Sequence, residues 1–180
     1  MIIGRSRFNI YLICTLLAVT VGCQSPEKKQ ARKKEKQVST LAIHLEAVQD
    51  SMDFSRSIQI FREKPLVVNI DKAAFLTESE VAEAKIVPER DGWSLLIKFN
   101  QRGTWLLEQY TTTNPGRHMA IFSTFGEDKK EARWLSAPLI HKRISNGILT
   151  FTPDATREES EQLVFGLNNL VKQAAAKSKW

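Results

Sequence analysis

The sequence contains very little cysteine. Both cysteines, Cys14 and Cys23, lie in the first 23 of 180 residues, so a disulfide framework or a cysteine-based zinc site is excluded from the rest of the chain. The eight glycines never fall at GxGxxG, GxxxxGK or GxSxG spacing, which excludes the usual phosphate-binding loops and a nucleophile elbow. His44, His118 and His141 form no HxH or HExxH pattern, and exposed strand or loop positions are expected for them. We therefore predict no cofactor, no metal ion and no enzymatic activity.

The net charge of +6 comes from one end of the chain. Residues 1–36 carry 8 basic and 2 acidic side chains, whereas residues 37–180 carry 18 of each. A nucleic-acid-binding domain usually carries its basic excess on the folded part, so we expect no nucleic-acid partner. The composition, 42% hydrophobic and 26% charged, is that of a globular protein, and the length suits one domain with additional segments.

Residues 1–22 have the pattern of a secretory signal peptide. Two arginines precede an apolar run at 10–21, which is shorter than the about 20 residues that a membrane-spanning helix needs. Residues 20–23, Thr-Val-Gly-Cys, resemble the bacterial lipoprotein box, in which the cysteine is acylated and begins the mature chain. We therefore predict that Cys23 carries lipid and anchors the protein to a membrane. The alternative is an ordinary signal peptide with an incidental cysteine.

Residues 23–37 are predicted to be a basic tether behind the lipid. The stretch SPEKKQARKKEKQ has almost no apolar side chains, so it is expected to be a solvated spacer. Its basic residues either attract anionic headgroups or simply hold the domain away from the membrane, and the sequence leaves both open. Gln24, in place of the Asp that signals retention in the inner membrane, favours the outer membrane. The domain is expected to face the periplasm.

Residues 38–180 combine strand and helix patterns. Thr77 and Glu80 form a capping box that predicts a short helix over 78–84, and Thr156 and Glu159 form another at the start of the closing helix. Asn100 is predicted to cap a third helix. The predicted strands lie at 41–47, 58–61, 66–70, 85–87, 93–99, 118–125, 133–135 and 147–151, with a charged turn at 127–130. The pattern predicts an α+β fold, with a mixed, mainly antiparallel sheet and helices packed mostly on one face.

Several residue types that could carry chemistry are expected to be structural. Glu158, Glu159 and Glu161 occupy the first turn of the closing helix, where carboxylates complement the helix dipole. Trp93, Trp105 and Trp134 lie in segments with apolar periodicity and are expected in the core. The apolar stripe of the closing helix comprises Leu163, Val164, Leu167, Leu170, Val171 and Ala174.

A distinctive order of short motifs begins at Thr104. The motifs are a helix ending in Thr-Thr-Thr-Asn at 111–114, Gly116-Arg117, Met119-Ala120-Ile121, Ser136-Ala137-Pro138, Asn146-Gly147, Phe151-Thr152 and Glu158-Glu159. This order, over about residues 93–173, resembles the head subdomain in the first periplasmic domain of SecD, a membrane subunit of the bacterial protein-export machinery (the SecD/SecF family). The resemblance implies a SecD-like head at 93–180, preceded at 38–92 by further strands and a short helix.

The resemblance also implies a set of signature residues with structural or binding roles. These residues are Gly116, Ala137, Pro138, Gly147, Phe151 and Glu159. In the SecD family the head is thought to contact translocating polypeptide. The resemblance therefore implies a non-enzymatic, lipid-anchored envelope module that contacts unfolded polypeptide or an export or envelope protein. The alternative is a structural envelope lipoprotein that uses the head for self-association or docking to a fixed partner.

Overall fold

The computed structural model describes residues 37–48, 54–126 and 129–177. The predicted signal peptide, Cys23 and the tether up to residue 36 lie outside these ranges, as do Glu127 and Asp128 of the predicted charged turn. None of the helices in the described ranges is long and apolar enough to cross a membrane.

Eight strands form two sheets in these residues. The larger sheet has the order β2-β3-β1-β6-β7, the smaller one has the order β4-β5-β8, and all pairs are antiparallel. The strands are β1 (Thr40–Glu46), β2 (Ser55–Ile60), β3 (Leu66–Thr77), β4 (Val81–Glu89), β5 (Gly92–Phe99), β6 (Met119–Phe125), β7 (Glu131–Ser136) and β8 (Ile148–Phe151).

Two α-helices lie in the described ranges, and both begin as predicted. Helix α1 (Gln101–Thr113) is capped by Asn100, whose Oδ1 accepts a hydrogen bond from the N–H of Gly103 at 2.9 Å. Helix α2 (Arg157–Lys177) begins with the predicted capping box. In this box the Glu159 N–H donates to Thr156 Oγ1 at 3.2 Å, and the Thr156 N–H donates to Glu159 Oε2 at 2.8 Å. These bonds satisfy backbone donors that the helix itself leaves unpaired.

The main core lies between the sheets and the helices. Leu41, Ile43 and Leu45 of β1 are buried in it, as their alternation with polar residues predicts. Leu163 and Leu167 bring the apolar face of α2 into the same core. The α+β fold with antiparallel sheets is therefore confirmed, although the apolar stripe of α2 ends before the exposed Ala174.

The predicted helix at 78–84 is wrong. The Thr77–Glu80 capping box forms, since the Thr77 N–H donates to Glu80 Oε2 at 3.0 Å, but it opens only a 3-10 turn at Glu78–Glu80. Val81 onward is strand β4, in which Val81 pairs with Phe99. Cross-strand pairing and burial of the strand outweigh the helix signal. The turn directs the chain into a hairpin that pairs with β8, so a second sheet forms in place of one continuous sheet.

Candidate functional site

The two edge strands of the larger sheet face each other. Among the described residues β2 pairs only with β3, and β7 pairs only with β6. The sheet curls so that Cα atoms of β2 and β7 approach within 8 Å. Four successive antiparallel pairings separate the two strands, so β2 and β7 run in the same direction. We call the gap between them the seam.

A second apolar cluster fills the inside of the curled sheet next to the seam. It lies on the face opposite the main core, because Ala120 belongs to it whereas Met119 and Ile121 belong to the main core. Its other buried members are Ile58, Ile60, Val68, Ile70 and Ala137, and Phe61, Leu66 and Trp134 pack against them. The inner side of the seam is therefore apolar.

Trp134 of β7 packs at the mouth of this cluster. Its ring makes an edge contact with His44 at 5.4 Å between centroids and a tilted contact with Phe122 at 5.0 Å. The guanidinium of Arg56, on β2, lies 5.4 Å from the same ring, within the range of a cation–π interaction. Trp134 is therefore half-buried and spans the seam. Trp105, by contrast, is 62% exposed on α1, so its predicted place in the core is wrong.

Asp154 connects the two edges of the seam. Its backbone N–H donates to the carbonyl oxygen of Leu135 in β7 at 2.7 Å. Its carboxylate accepts from the backbone N–H of Arg62, just after β2, at 3.1 Å and forms an ion pair with the Arg62 guanidinium at 3.1 Å. Its carbonyl oxygen accepts from Arg133 Nη1 at 3.3 Å. We call these contacts the Asp154 bridge.

An open groove adjoins the seam. Its volume is about 590 Å³, and it is lined by residues 61–64, 136–138 and 151–154. A smaller cavity of about 320 Å³ lies at the seam itself, where Phe61, Arg62 and Asp154 again form part of the wall. Five of its eleven lining residues are apolar or proline, and its four charged residues are Asp154 and the three residues at 62–64. An extended, partly apolar chain is the chemistry that such a surface fits.

Three of the six predicted signature residues line the groove. Ala137 is buried against the second cluster, and Pro138 and Phe151 form part of the groove wall. Gly116 and Gly147 lie at turns with φ of +78° and +67°. Gly147 has no room for a side chain, because a Cβ would lie 2.1 Å from Thr104 Oγ1. Gly147 is therefore structural, and so is Gly116, whose conformation suits glycine.

Glu159 reaches the edge of the seam through Arg133. Its carboxylate accepts from Arg133 Nη2 at 2.7 Å and from Arg133 Nη1 at 3.1 Å. This hydrogen bonding lowers the pKa of Glu159 below its usual value. Glu159 thus has two structural contacts, the capping box of α2 and the bidentate ion pair that holds the start of α2 against β7.

The histidines form no site with one another. His44 is buried, contrary to the expectation of an exposed position, and its Nδ1 lies 2.9 Å from the carbonyl oxygen of Asp71. Burial lowers the pKa of His44. His118 Nδ1 lies 2.8 Å from Glu46 Oε2. In the part of the chain that the structure describes, no group of three or more His, Cys, Asp or Glu side chains could hold a metal ion.

Sequence reasoning missed Phe61, Arg62 and Asp154. The sequence pattern predicts Phe61 at the end of a strand, whereas in the structure it adopts φ +66° after β2 ends and lines the groove. Arg62 and Asp154 are 92 positions apart, and neither belongs to a motif. The only signal near them was Phe151-Thr152, which lies just before Asp154.

The fold and the site together define a small α+β module whose distinguishing surface is a seam between sheet edges beside an apolar groove. The family model for the SecDF P1 head subdomain matches residues 54–169. The chain therefore belongs to this family, which confirms the resemblance.

Solved structures have the same fold. A structure of SecDF, a membrane component that enhances protein export, matches with a TM-score of 0.55 and 17% identity, over 83% of this chain and 70% of that one. SecDF in a super-membrane-facing form matches with a TM-score of 0.55 and 18% identity, over 82% of this chain and 21% of that one. At these identities the matches establish the fold alone. No curated protein matches the sequence.

Proposed function

We propose that this protein is a non-enzymatic envelope module that binds extended polypeptide at the seam and the groove. The observation that carries the proposal is the juxtaposition of two strand edges, β2 and β7, with a groove that holds Ala137, Pro138 and Phe151. Membership of the SecDF P1 head family supports a role in protein export on the periplasmic side.

Strand edges bind polypeptide without selecting its sequence. An edge strand offers backbone donors and acceptors, and an added strand satisfies them with its own backbone. The edge of β4 is less available, because Asn168 of α2 occupies it. Its Oδ1 accepts from the Ala84 N–H at 3.0 Å, and its Nδ2 donates to the Ala84 carbonyl at 2.9 Å. A strand added at β4 would first have to displace Asn168.

Two arginines beside the seam are paired with carboxylates. Arg62 pairs with Asp154, and Arg133 pairs with Glu159. The charge of these two arginines is therefore compensated before a chain binds, and the apolar side chains of that chain have the groove available. Binding of this kind is weak and tolerant of sequence, as contact with a passing polypeptide requires.

Docking to a fixed export or envelope partner, or self-association, is the second candidate. The indole of Trp105, 62% exposed on α1, favours it, because exposed aromatic side chains are enriched at protein interfaces. This role needs no binding of unfolded chains, so the experiment below separates the two.

Residues 38–180 are expected to bind a labelled unfolded polypeptide with micromolar or weaker affinity, without nucleotide or metal. Because residues 37–180 carry equal numbers of basic and acidic side chains, binding should survive salt that screens exposed charges beyond about 8 Å. Fluorescence anisotropy at low and high salt measures the affinity and its dependence on salt.

A matched protein that also contains residues 24–37 is the control for the tether. If only this longer protein binds, and its affinity falls steeply with salt, the lysine-rich tether is the binding element. If residues 38–180 bind none of several unfolded chains, the polypeptide-binding proposal is wrong and the docking role is left.

We further propose the domain organisation that the sequence indicates. Residues 1–22 are a lipoprotein signal peptide, and Cys23 carries the lipid that starts the tether. Residues 38–92 and 93–180 then form one folded unit that faces the periplasm. The lipid attaches this unit to a membrane, with the outer membrane favoured by Gln24.

Cys23→Ser is expected to release the protein from membranes. Several acyl chains on Cys23, each stabilised by about 0.8 kcal/mol per buried methylene, anchor a protein far more firmly than one chain. Labelling with a radioactive fatty acid, followed by membrane fractionation, tests this. Cys14→Ser is the matched control and should keep both label and membrane association. Equal labelling of the Cys23→Ser protein would exclude the lipoprotein assignment.

A further inference from the structure

We infer that the seam accepts an extended polypeptide as a sixth strand of the larger sheet, and that Asp154 must release Arg62 before that strand can enter. The inference rests on the proposed function, because it assigns the binding mode and its control to the same site. It follows from the width of the seam, the contacts of Asp154 and the conformation of Phe61.

Where β2 and β7 come closest, the seam is too narrow for another strand. Neighbouring strands lie about 4.8 Å apart, so a strand that pairs on both sides needs edges about 9.6 Å apart. Cα atoms of β2 and β7 approach within 8 Å. The two edges therefore have to separate by roughly 2 Å or more before a chain can pair with both.

The Asp154 bridge and the cation–π contact between Arg56 and Trp134 both connect the edges at this separation. The link of the Asp154 bridge to β7 is a backbone hydrogen bond, from the Asp154 N–H to the Leu135 carbonyl oxygen at 2.7 Å. Its link to the β2 side is the carboxylate, which accepts from Arg62. The Arg62 side chain is 58% exposed, so water and ions compete for it. The link to the β2 side is thus the one that can open.

The conformation of Phe61 favours opening. An aromatic residue at φ +66° is strained, because only glycine, and less readily asparagine or aspartate, adopts this region easily. The next N–H, that of Arg62, donates to the Asp154 carboxylate and so holds the turn. Once that hydrogen bond is lost, Phe61 can return to extended backbone. Its side chain, which lines both the seam cavity and the groove, then moves.

An extended polypeptide is the occupant that this surface fits. Two edges that run in the same direction present backbone groups to one strand from both sides, which a compact ligand cannot use. Every second side chain of an inserted strand would face the apolar side of the sheet, where Ile60 and Trp134 lie beside the seam. Arg62 and Arg133 are paired with carboxylates, so these two side chains give no preference for an acidic chain.

Asp154→Ala in the full chain tests the inference, because it removes the carboxylate and keeps the backbone link to β7. We expect faster hydrogen exchange in residues 55–62 and 131–136, with α1 unchanged, and affinity for a labelled unfolded polypeptide tighter by roughly three- to tenfold. This range is that of one exposed ion pair with a charge-assisted hydrogen bond. Arg62→Ala should change both quantities in the same direction.

Glu161→Ala is the matched control, because it removes the Arg157–Glu161 ion pair of α2 without touching the seam. It should leave exchange and affinity unchanged. Faster exchange that includes α1 would mean general destabilisation and would overturn the control by Asp154.

The remaining outcomes separate the inference from the proposed function. Hydrogen exchange could rise at the seam while neither the wild type nor any variant binds an unfolded chain. The proposed function would then be wrong, and so would insertion of a polypeptide as a sixth strand. If wild type and Asp154→Ala bind equally well, the proposed function stands and insertion at the seam is overturned. If Asp154→Ala self-associates with rising concentration and binds no polypeptide, a second copy is the occupant, which also overturns the inference.

Discussion

Leu167→Ala is expected to lower the free energy of unfolding by about 2–5 kcal/mol. Leu167 is 1% exposed and lies in the main core, where it fixes α2 against the sheets. Truncation removes buried methyl groups and leaves a cavity that close-packed neighbours fill only in part. Urea unfolding, followed by circular dichroism, gives the free energy from the transition midpoint and slope.

Phe165→Ala is the matched control for Leu167→Ala. Phe165 lies two residues earlier on the same helix, but 41% of it is exposed. Its truncation removes less buried area and should cost less. If Leu167→Ala unfolds like the wild type, α2 does not pack on the core through this face.

The closing helix could be predicted from sequence because its signals are local. The Thr156–Glu159 capping box and the apolar residues at helical spacing lie within one segment, and both appear in the structure. The same holds for the cap at Asn100 and for the hairpin of β4 and β5. In each case the residues that decide the structure are neighbours along the chain.

The helix predicted at 78–84 does not form, because the pairing of this segment with β5 depends on residues farther along the chain. The capping box formed, but Val81 and Ala84 pair with Phe99 and Ile97 in a strand. A capping box satisfies only the first turn, whereas cross-strand pairing and core burial act over the whole segment. The division into two sheets also depends on a distant contact, because the β4–β5 hairpin pairs with β8 and not with a strand of the larger sheet.

Only part of the candidate site could be predicted from the sequence, for a similar reason. The resemblance to the SecD head implies roles for Ala137, Pro138 and Phe151, and all three line the groove. Arg62 and Asp154 join across 92 positions, and no spacing rule connects a β2 terminus to a loop before α2. Charge pairs of this kind follow from the tertiary fold, so the fold had to be known before the seam could be recognised.

The role of Gly166 cannot be predicted from the helical pattern. A glycine inside a helix usually costs about 1 kcal/mol relative to alanine, so propensity alone predicts that Gly166→Ala stabilises the protein. In the structure a Cβ at this position would lie 2.6 Å from the backbone nitrogen of Ser39 and 2.2 Å from its Oγ. Ser39 is fully buried just before β1, so its backbone has no free space into which to move.

Gly166→Ala is therefore expected to destabilise the protein by about 1–3 kcal/mol, the usual cost of overpacking a dense interior. Urea unfolding measures the change, and Gln173→Ala, at an exposed position of the same helix, is the matched control and should stay within about 0.5 kcal/mol of the wild type. Ser39→Gly combined with Gly166→Ala should recover only part of the loss, because the backbone nitrogen of Ser39 remains. A gain in stability for Gly166→Ala would mean that α2 does not approach residue 39 this closely. The sign of the change thus tests whether packing against the start of the domain, rather than helix propensity, determines the residue at this position.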